Sequence, residues 1–379
     1  MDSIADTVEK DFLDQIMKTK AHRVMSLLYL TSKGIGFDES NFEKNLYFLI
    51  SNGCSINKML PDQNKGEIHR LWAHIGIAED SNDSFLLHQR PFAPLHFAAD
   101  RMPAFVIDAL IRHGADKNQP AAYNFLPIHI AAKSRNGSAL QALLHHGADP
   151  NARDPSFSTA LIMACEMHTE QYNLNNINQC VFKVNCDLMA ACVAILLQSG
   201  ANATLVNIQN LNPLHLAVTH KATEPGCIDT ITLLLEHKAS PNMSLVESGQ
   251  TPLHVAIKYN NILAAIMMIV HFKANVLLVE TIFRTTALQQ AMMKYIATQN
   301  DAFVELIQAC IRHVEENNQL WRVGDIMDVT SENILDYICV HYNNTYERIM
   351  DTVSHYTRKD RHNAAVIASA GRVTRLQYN

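Results

Sequence analysis

Thr251-Pro252-Leu253-His254-Val255-Ala256 decides how the chain is read, because it is said again elsewhere. It returns as Ala93-Pro94-Leu95-His96-Phe97-Ala98, as Leu126-Pro127-Ile128-His129-Ile130-Ala131 and as Asn212-Pro213-Leu214-His215-Leu216-Ala217. A second phrase recurs with it: His113-Gly114-Ala115-Asp116, His146-Gly147-Ala148-Asp149, Ser199-Gly200-Ala201-Asn202 and His237-Lys238-Ala239-Ser240, with roughly twenty residues from the first phrases at 93, 126 and 212 to the second that follows. Leu95 to Ile128 is 33 positions, and Ile128 to Leu161 is 33 again. Proline just inside a helix start wastes no backbone donor, and glycine just past a helix end supplies a left-handed residue. Each period therefore reads as two short helices with a turn between successive pairs.

A period near 33 built on T-P-L-H-x-A resembles the ankyrin repeat. The resemblance is strong over about residues 90–311 and weak in both flanks. It implies an all-α ankyrin-repeat solenoid, with helix-turn-helix repeats, short hairpin fingers and helical caps at both ends. Repeats are expected at about 91–118, 124–151, 158–203, 210–242, 249–275 and 285–311. Residues 1–57 read as N-terminal capping helices and a divergent first repeat that ends at Asn52-Gly53-Cys54-Ser55-Ile56-Asn57. Residues 58–90 read as an insertion around Trp72, 312–356 as a degenerate C-terminal cap, and 357–379 as a tail with five basic residues against one acidic. Leu161 to Leu214 is 53 positions, 20 beyond the period, which places a polar loop at about 168–187. In the sixth repeat Gln289 stands where the histidine belongs.

Composition narrows the function classes. The 379 residues are 48% hydrophobic with net charge −6, enough for an extensive core and no electrostatic reason to expect nucleic acid as a partner. The acidic N-terminus lacks an apolar run, so neither a signal peptide nor a membrane span is expected. Eight cysteines form no CxxC pair, which points to free thiols in a reducing, cytoplasmic compartment. There is no nucleophile elbow, glycine-rich phosphate loop, HExxH or calcium loop. No catalytic residue, cofactor or metal is therefore expected. The alternative is an enzyme whose site lies in the non-repeat segments, with the repeats as docking arm.

The resemblance implies binding of a protein partner by a monomer, through a concave face made of fingers and inner helices. Carried onto this sequence, the contact positions before each T-P-L-H step are Phe92, Phe125, Ser158, Leu211, Gln250 and Thr285. Those at the ends of the inner helices are Asp100, Arg101, Lys133, Ser134, Glu166 and Met167, then Thr219, His220, Lys258, Tyr259, Met293 and Lys294. The repeat histidines read as structural. In its irregular spacing and divergent caps the chain also resembles ankyrin proteins that intracellular bacterial pathogens deliver into host cells, which implies an effector acting on a host protein.

Overall fold

The computed structural model describes residues 23–32, 39–59, 92–166, 186–220 and 226–317. The chain divides into two compact units, residues 1–207 and 208–379.

The first unit holds α1 (Arg23–Ser32), α2 (Glu39–Ser51), α3 (Pro94–Arg101), α4 (Ala104–Arg112), α5 (Pro127–Lys133), α6 (Gly137–His145), α7 (Ala160–Cys165) and α8 (Cys186–Gln198). Odd-numbered helices pack on one another and even-numbered helices do the same, while each odd helix also packs on the even one that follows it. The result is two layers, α1-α3-α5-α7 inside and α2-α4-α6-α8 outside. Between them lie Leu27, Leu46, Leu110, Leu140 and Leu196, all fully buried. Each such side chain contributes about 1.5–3 kcal/mol of transfer free energy. Phe42 meets Phe105 edge to face at 6.0 Å, tying α2 to α4.

The second unit repeats the plan with α9 (Pro213–Ala217), α10 (Cys227–Glu236), α11 (Pro252–Lys258), α12 (Ile262–Val270), α13 (Ala287–Thr298) and α14 (Ala302–Glu316). Here α9-α11-α13 form one layer, and α12 packs on α14 in the other. Leu214, Leu234, Leu253, Met268, Tyr295 and Leu306 fill the interior. No strand runs through the described residues; the hairpins contain only single bridges, Arg153 with Thr159 and Val279 with Thr286.

Local chemistry explains the helix boundaries. Four helices begin at the proline of the repeated phrase, after an extended residue such as Thr251 (φ −90°, ψ 166°). The histidine three residues on turns its Nδ1 back to accept the N–H of that extended residue: Ala93 to His96 at 3.1 Å, Leu126 to His129 at 3.2 Å, Asn212 to His215 at 3.3 Å and Thr251 to His254 at 3.2 Å. The other ring nitrogen of His96 reaches the Phe125 carbonyl at 3.2 Å, and that of His129 the Ala152 carbonyl at 2.9 Å. One ring thus caps its own helix and fastens the next repeat. Gln289 performs the first task alone, its Oε1 accepting the Thr286 N–H at 2.8 Å.

Asparagines supply a second set of fasteners that the sequence did not announce. Asn151 donates to the Gly200 carbonyl at 3.1 Å and accepts the Asn202 N–H at 2.8 Å. Asn57 does the same to Gly114 and Asp116. Asn136 caps α6 and donates to the Ala99 and Met102 carbonyls, and Asn261 caps α12 and donates to Val218 and His220. The helix-ending glycines are left-handed as expected, Gly200 at φ 89°. Where lysine replaces glycine the backbone still turns the same way, with Lys238 at φ 70° and Lys273 at φ 53°.

The N-terminal part of the expected capping helices, residues 1–22, nearly all of the 58–90 insertion, most of the 168–187 loop and nearly all of 312–379 lie outside the described residues. Helix α8 begins at Cys186, and α14 runs five residues past Ile311, the expected end of the sixth repeat.

Candidate functional site

Two surfaces of each unit offer side chains outward: the tips of the hairpins and the C-terminal ends of the inner helices. The hairpins are short and tied. In the first unit Ala121 N–H meets the Phe125 carbonyl at 2.8 Å, and Asp154 N–H meets that of Ser158 at 3.0 Å. Asp154 also accepts the Ser158 N–H on its carboxylate at 2.7 Å. In the second unit Leu245 pairs with Gln250 and Glu280 with Thr285, while Thr281 N–H reaches the Ser248 carbonyl at 2.9 Å and links two successive hairpins. The buried Glu280 carboxylate accepts the Phe283 N–H at 2.8 Å and the Thr285 hydroxyl at 3.2 Å. Left-handed residues (Tyr123, Asn124, Phe157, Asn210, Gly249, Arg284) make the turns.

This geometry decides which finger residues reach the surface. Phe92 is 2% exposed, and Ser158, Gln250 and Thr285 are buried with it; Phe125 and Leu211 are half-buried. The exposed apolar residues sit at the tips instead: Tyr123 (73% exposed) and Phe157 in the first unit, Ile208, Val246, Ile282 and Phe283 (70%) in the second. Sequence reading missed them, although bulky residues beside turn-forming Asn124, Asn210 and Gly249 were a signal.

The inner-helix ends differ between the units. In the first, opposite charges meet: Arg101 pairs with Asp100 at 3.1 Å and Lys133 with Glu166 at 3.8 Å, and the Ser134 hydroxyl donates to Asp100. Arg101 also lies over the Phe97 ring, 5.4 Å from its centre. Burial raises the Glu166 carboxyl above its ordinary range, and nearby Lys133 opposes that shift. In the second unit Thr219 is half-buried, its hydroxyl donating to the Leu216 carbonyl, and His220 is buried. Lys258, Tyr259 and Met293 are exposed, and Lys294 is half-buried. Met167 lies outside the described residues.

The buried titratable groups have structural chemistry. Burial pushes His96 and His215 down to about 4 and lowers His129 and His254, so these rings stay neutral. It pushes the Cys192 and Cys310 thiols up to about 12, which leaves them protonated and poor nucleophiles. Among the described residues no group of three or more His, Cys, Asp or Glu side chains could hold a metal ion. Cys54, Cys165, Cys192, Cys227 and Cys310 are free thiols. No helix among the described residues is long and apolar enough to cross a membrane.

Comparison with known proteins agrees with this architecture. A family model of ankyrin repeats in sets of three copies matches residues 40–154 and 177–279, more than half of the chain. A segment of 65 residues, 17% of this chain, is 42% identical to the human (Homo sapiens) protein named Ankyrin repeat and SOCS box protein 16. The chain spans 13% of that protein's length. With the repeat period, the two helical layers and the histidine fasteners, these matches make the chain a member of the ankyrin-repeat family.

Proposed function

We propose that the chain is a non-enzymatic scaffold that holds a protein partner on its hairpin tips and inner-helix ends. Ankyrin repeats mediate protein–protein interaction in general, and the family is typically non-enzymatic. The observation that carries the reading is the set of large apolar side chains at the tips, on backbone pinned by hydrogen bonds within the hairpins and, in the second unit, between them. Apolar groups presented on a rigid frame lose little entropy on binding, which is what an interface core requires. Serine at Tyr123, Phe157, Ile282 and Phe283 together removes those groups without touching the core. Affinity capture from a cell lysate should then lose the partner while the melting temperature stays within about 2 °C, as expected for exposed positions. Capture that survives this variant contradicts the proposal. Phe92 is unsuitable for such a test, because truncating a buried phenylalanine costs about 3–5 kcal/mol by itself.

The irregular period favours a further reading as an effector that acts on a host protein. Twenty residues are added between Leu161 and Leu214, and Leu214 to Leu253 spans 39 positions. Insertions in a repeat array fall on one face and equip it for a particular partner. On this reading the chain captures a protein from a mammalian lysate and none from a bacterial one; the reverse outcome removes it. The alternative of an enzyme in the non-repeat segments concerns residues almost wholly outside those described.

A further inference from the structure

The inner-helix ends of the second unit carry an unmatched charge, and that fixes the chemistry of what they hold. Lys294 on α13 donates from Nζ to the Lys258 carbonyl and to Asn260 Oδ1, both at 3.1 Å. An ammonium has three donors, so one N–H remains to point outward from a head group whose position is set. Lys258 is exposed, with its Nζ 5.9 Å from the centre of the Tyr259 ring. Among the described residues no carboxylate lies within ion-pair distance of either lysine, whereas the first unit matches Arg101 with Asp100 and Lys133 with Glu166 at the corresponding places. Tyr259 (47% exposed) and Met293 (45%) sit beside the lysines. Two cations with two apolar side chains form a mixed surface, basic and greasy at once.

We infer that these helix ends hold an acidic peptide segment of the partner, its carboxylates at Lys258 and Lys294 and a neighbouring apolar side chain against Tyr259 and Met293. This deepens the scaffold reading and rests on it. A carboxylate beside either ammonium group gains an opposite charge that the described residues do not supply, and tyrosine is favoured at the energetic centre of interfaces. A polyanion fits less well. Nucleic-acid affinity at physiological salt grows with the number of phosphates neutralised, commonly about six to ten, and a chain of net charge −6 repels a long anionic strand or membrane.

The test is a random dodecamer peptide library displayed on phage and panned on the full-length chain. Enriched peptides should carry two or more acidic residues next to an aromatic or branched aliphatic one. A fluorescent copy of the best peptide should bind at least about tenfold more weakly to the Lys258→Glu/Lys294→Glu chain, since each charge reversal turns attraction into repulsion. The affinity should also fall at about 1 M salt, where the screening length is ~3 Å. Lys258→Glu/Lys294→Gln keeps an amide to donate to the backbone carbonyl at position 258 and to Asn260, and it carries the comparison if the double reversal alters the far-UV circular dichroism. Enrichment of neutral or basic peptides, no enrichment, equal binding to the variants, or tighter binding of a single-stranded RNA oligomer or of phosphatidylserine vesicles would each overturn the inference. If the acidic class fails while the tip-serine variant still loses its lysate partner, the partner chemistry is wrong and the scaffold stands. Failure of both removes both.

Discussion

Replacing His96 by glutamine should make the first unit less stable at neutral pH and more stable in acid. His96 is fully buried, accepts the Ala93 N–H on Nδ1 and donates from Nε2 to the Phe125 carbonyl. Glutamine can accept the helix-start N–H, as Gln289 does in the sixth repeat at 2.8 Å, but among the described residues the Gln289 amide nitrogen has no partner. Loss of the Phe125 bond costs about 1 kcal/mol at pH 7. Acid reverses the balance. The folded ring resists protonation down to about 4, while the unfolded ring takes a proton near 6.5. Below pH 6.5 the unfolded chain binds more protons than the folded one, so stability falls as pH falls and levels off near the folded value. From pH 7 to pH 5 this amounts to about 2 kcal/mol for the one ring, from a slope of about 1.4 kcal/mol per pH unit. Glutamine escapes that penalty, so the two stability curves should cross near pH 6, where about 1 kcal/mol of acid penalty equals the lost bond. Urea unfolding of both chains at pH 7, 6 and 5 reads the crossing. A variant less stable than the parent by the same amount at all three values would refute the assignment of His96 as a neutral, desolvated fastener.

Three further outcomes follow from the repeat chemistry. Lys238→Gly should raise the stability of the second unit by about 0.5–1 kcal/mol, because a left-handed lysine costs roughly 1–2 kcal/mol and glycine returns ~0.4–1 of that through its freer unfolded chain; a lower urea midpoint would count against it. Conversely, Gly200→Ala should cost the first unit about 1 kcal/mol from backbone strain alone, since nothing lies within 4 Å of the added methyl group. Asn151→Ala removes both bonds to Gly200 and Asn202 and should cost about 1–2 kcal/mol, with faster amide exchange at 199–204 than elsewhere in the unit as its signature.

The repeat framework was open to reading because its residues are set by local geometry. Proline fixes where an inner helix starts, the histidine two residues on caps it, and glycine turns the chain at the end of the outer helix. Gln289 shows how far that local logic stretches, since an amide replaces the ring and the helix still begins at Ala287. What lies between helices was harder. Whether a finger residue faces out depends on where the left-handed turn residue falls, as Arg284 does, and on hydrogen bonds that close and link the hairpins, among them Thr281 with Ser248 of the preceding one. Hence Phe92 and Thr285 are core residues, while Phe283, two positions from Thr285, is a tip. Distance along the chain hid the fasteners: Asn151 looks like an ordinary turn residue until Gly200 and Asn202, 49 and 51 positions on, are brought to it. The inner-helix ends could be placed from the phrase, but their pairing was not legible, because Lys133 meets Glu166 across two helices whereas Lys258 and Lys294 meet no acid among the described residues.

Hydrogen–deuterium exchange on the captured complex addresses the central claim most directly. The account predicts that the partner slows exchange in the hairpins at 121–125, 154–158, 245–250 and 280–285 and at the inner-helix ends near Tyr259 and Lys294. Outer helices such as α6 and α12 should exchange as in the free chain. Protection confined to the outer helices, with the tips unchanged, would contradict it.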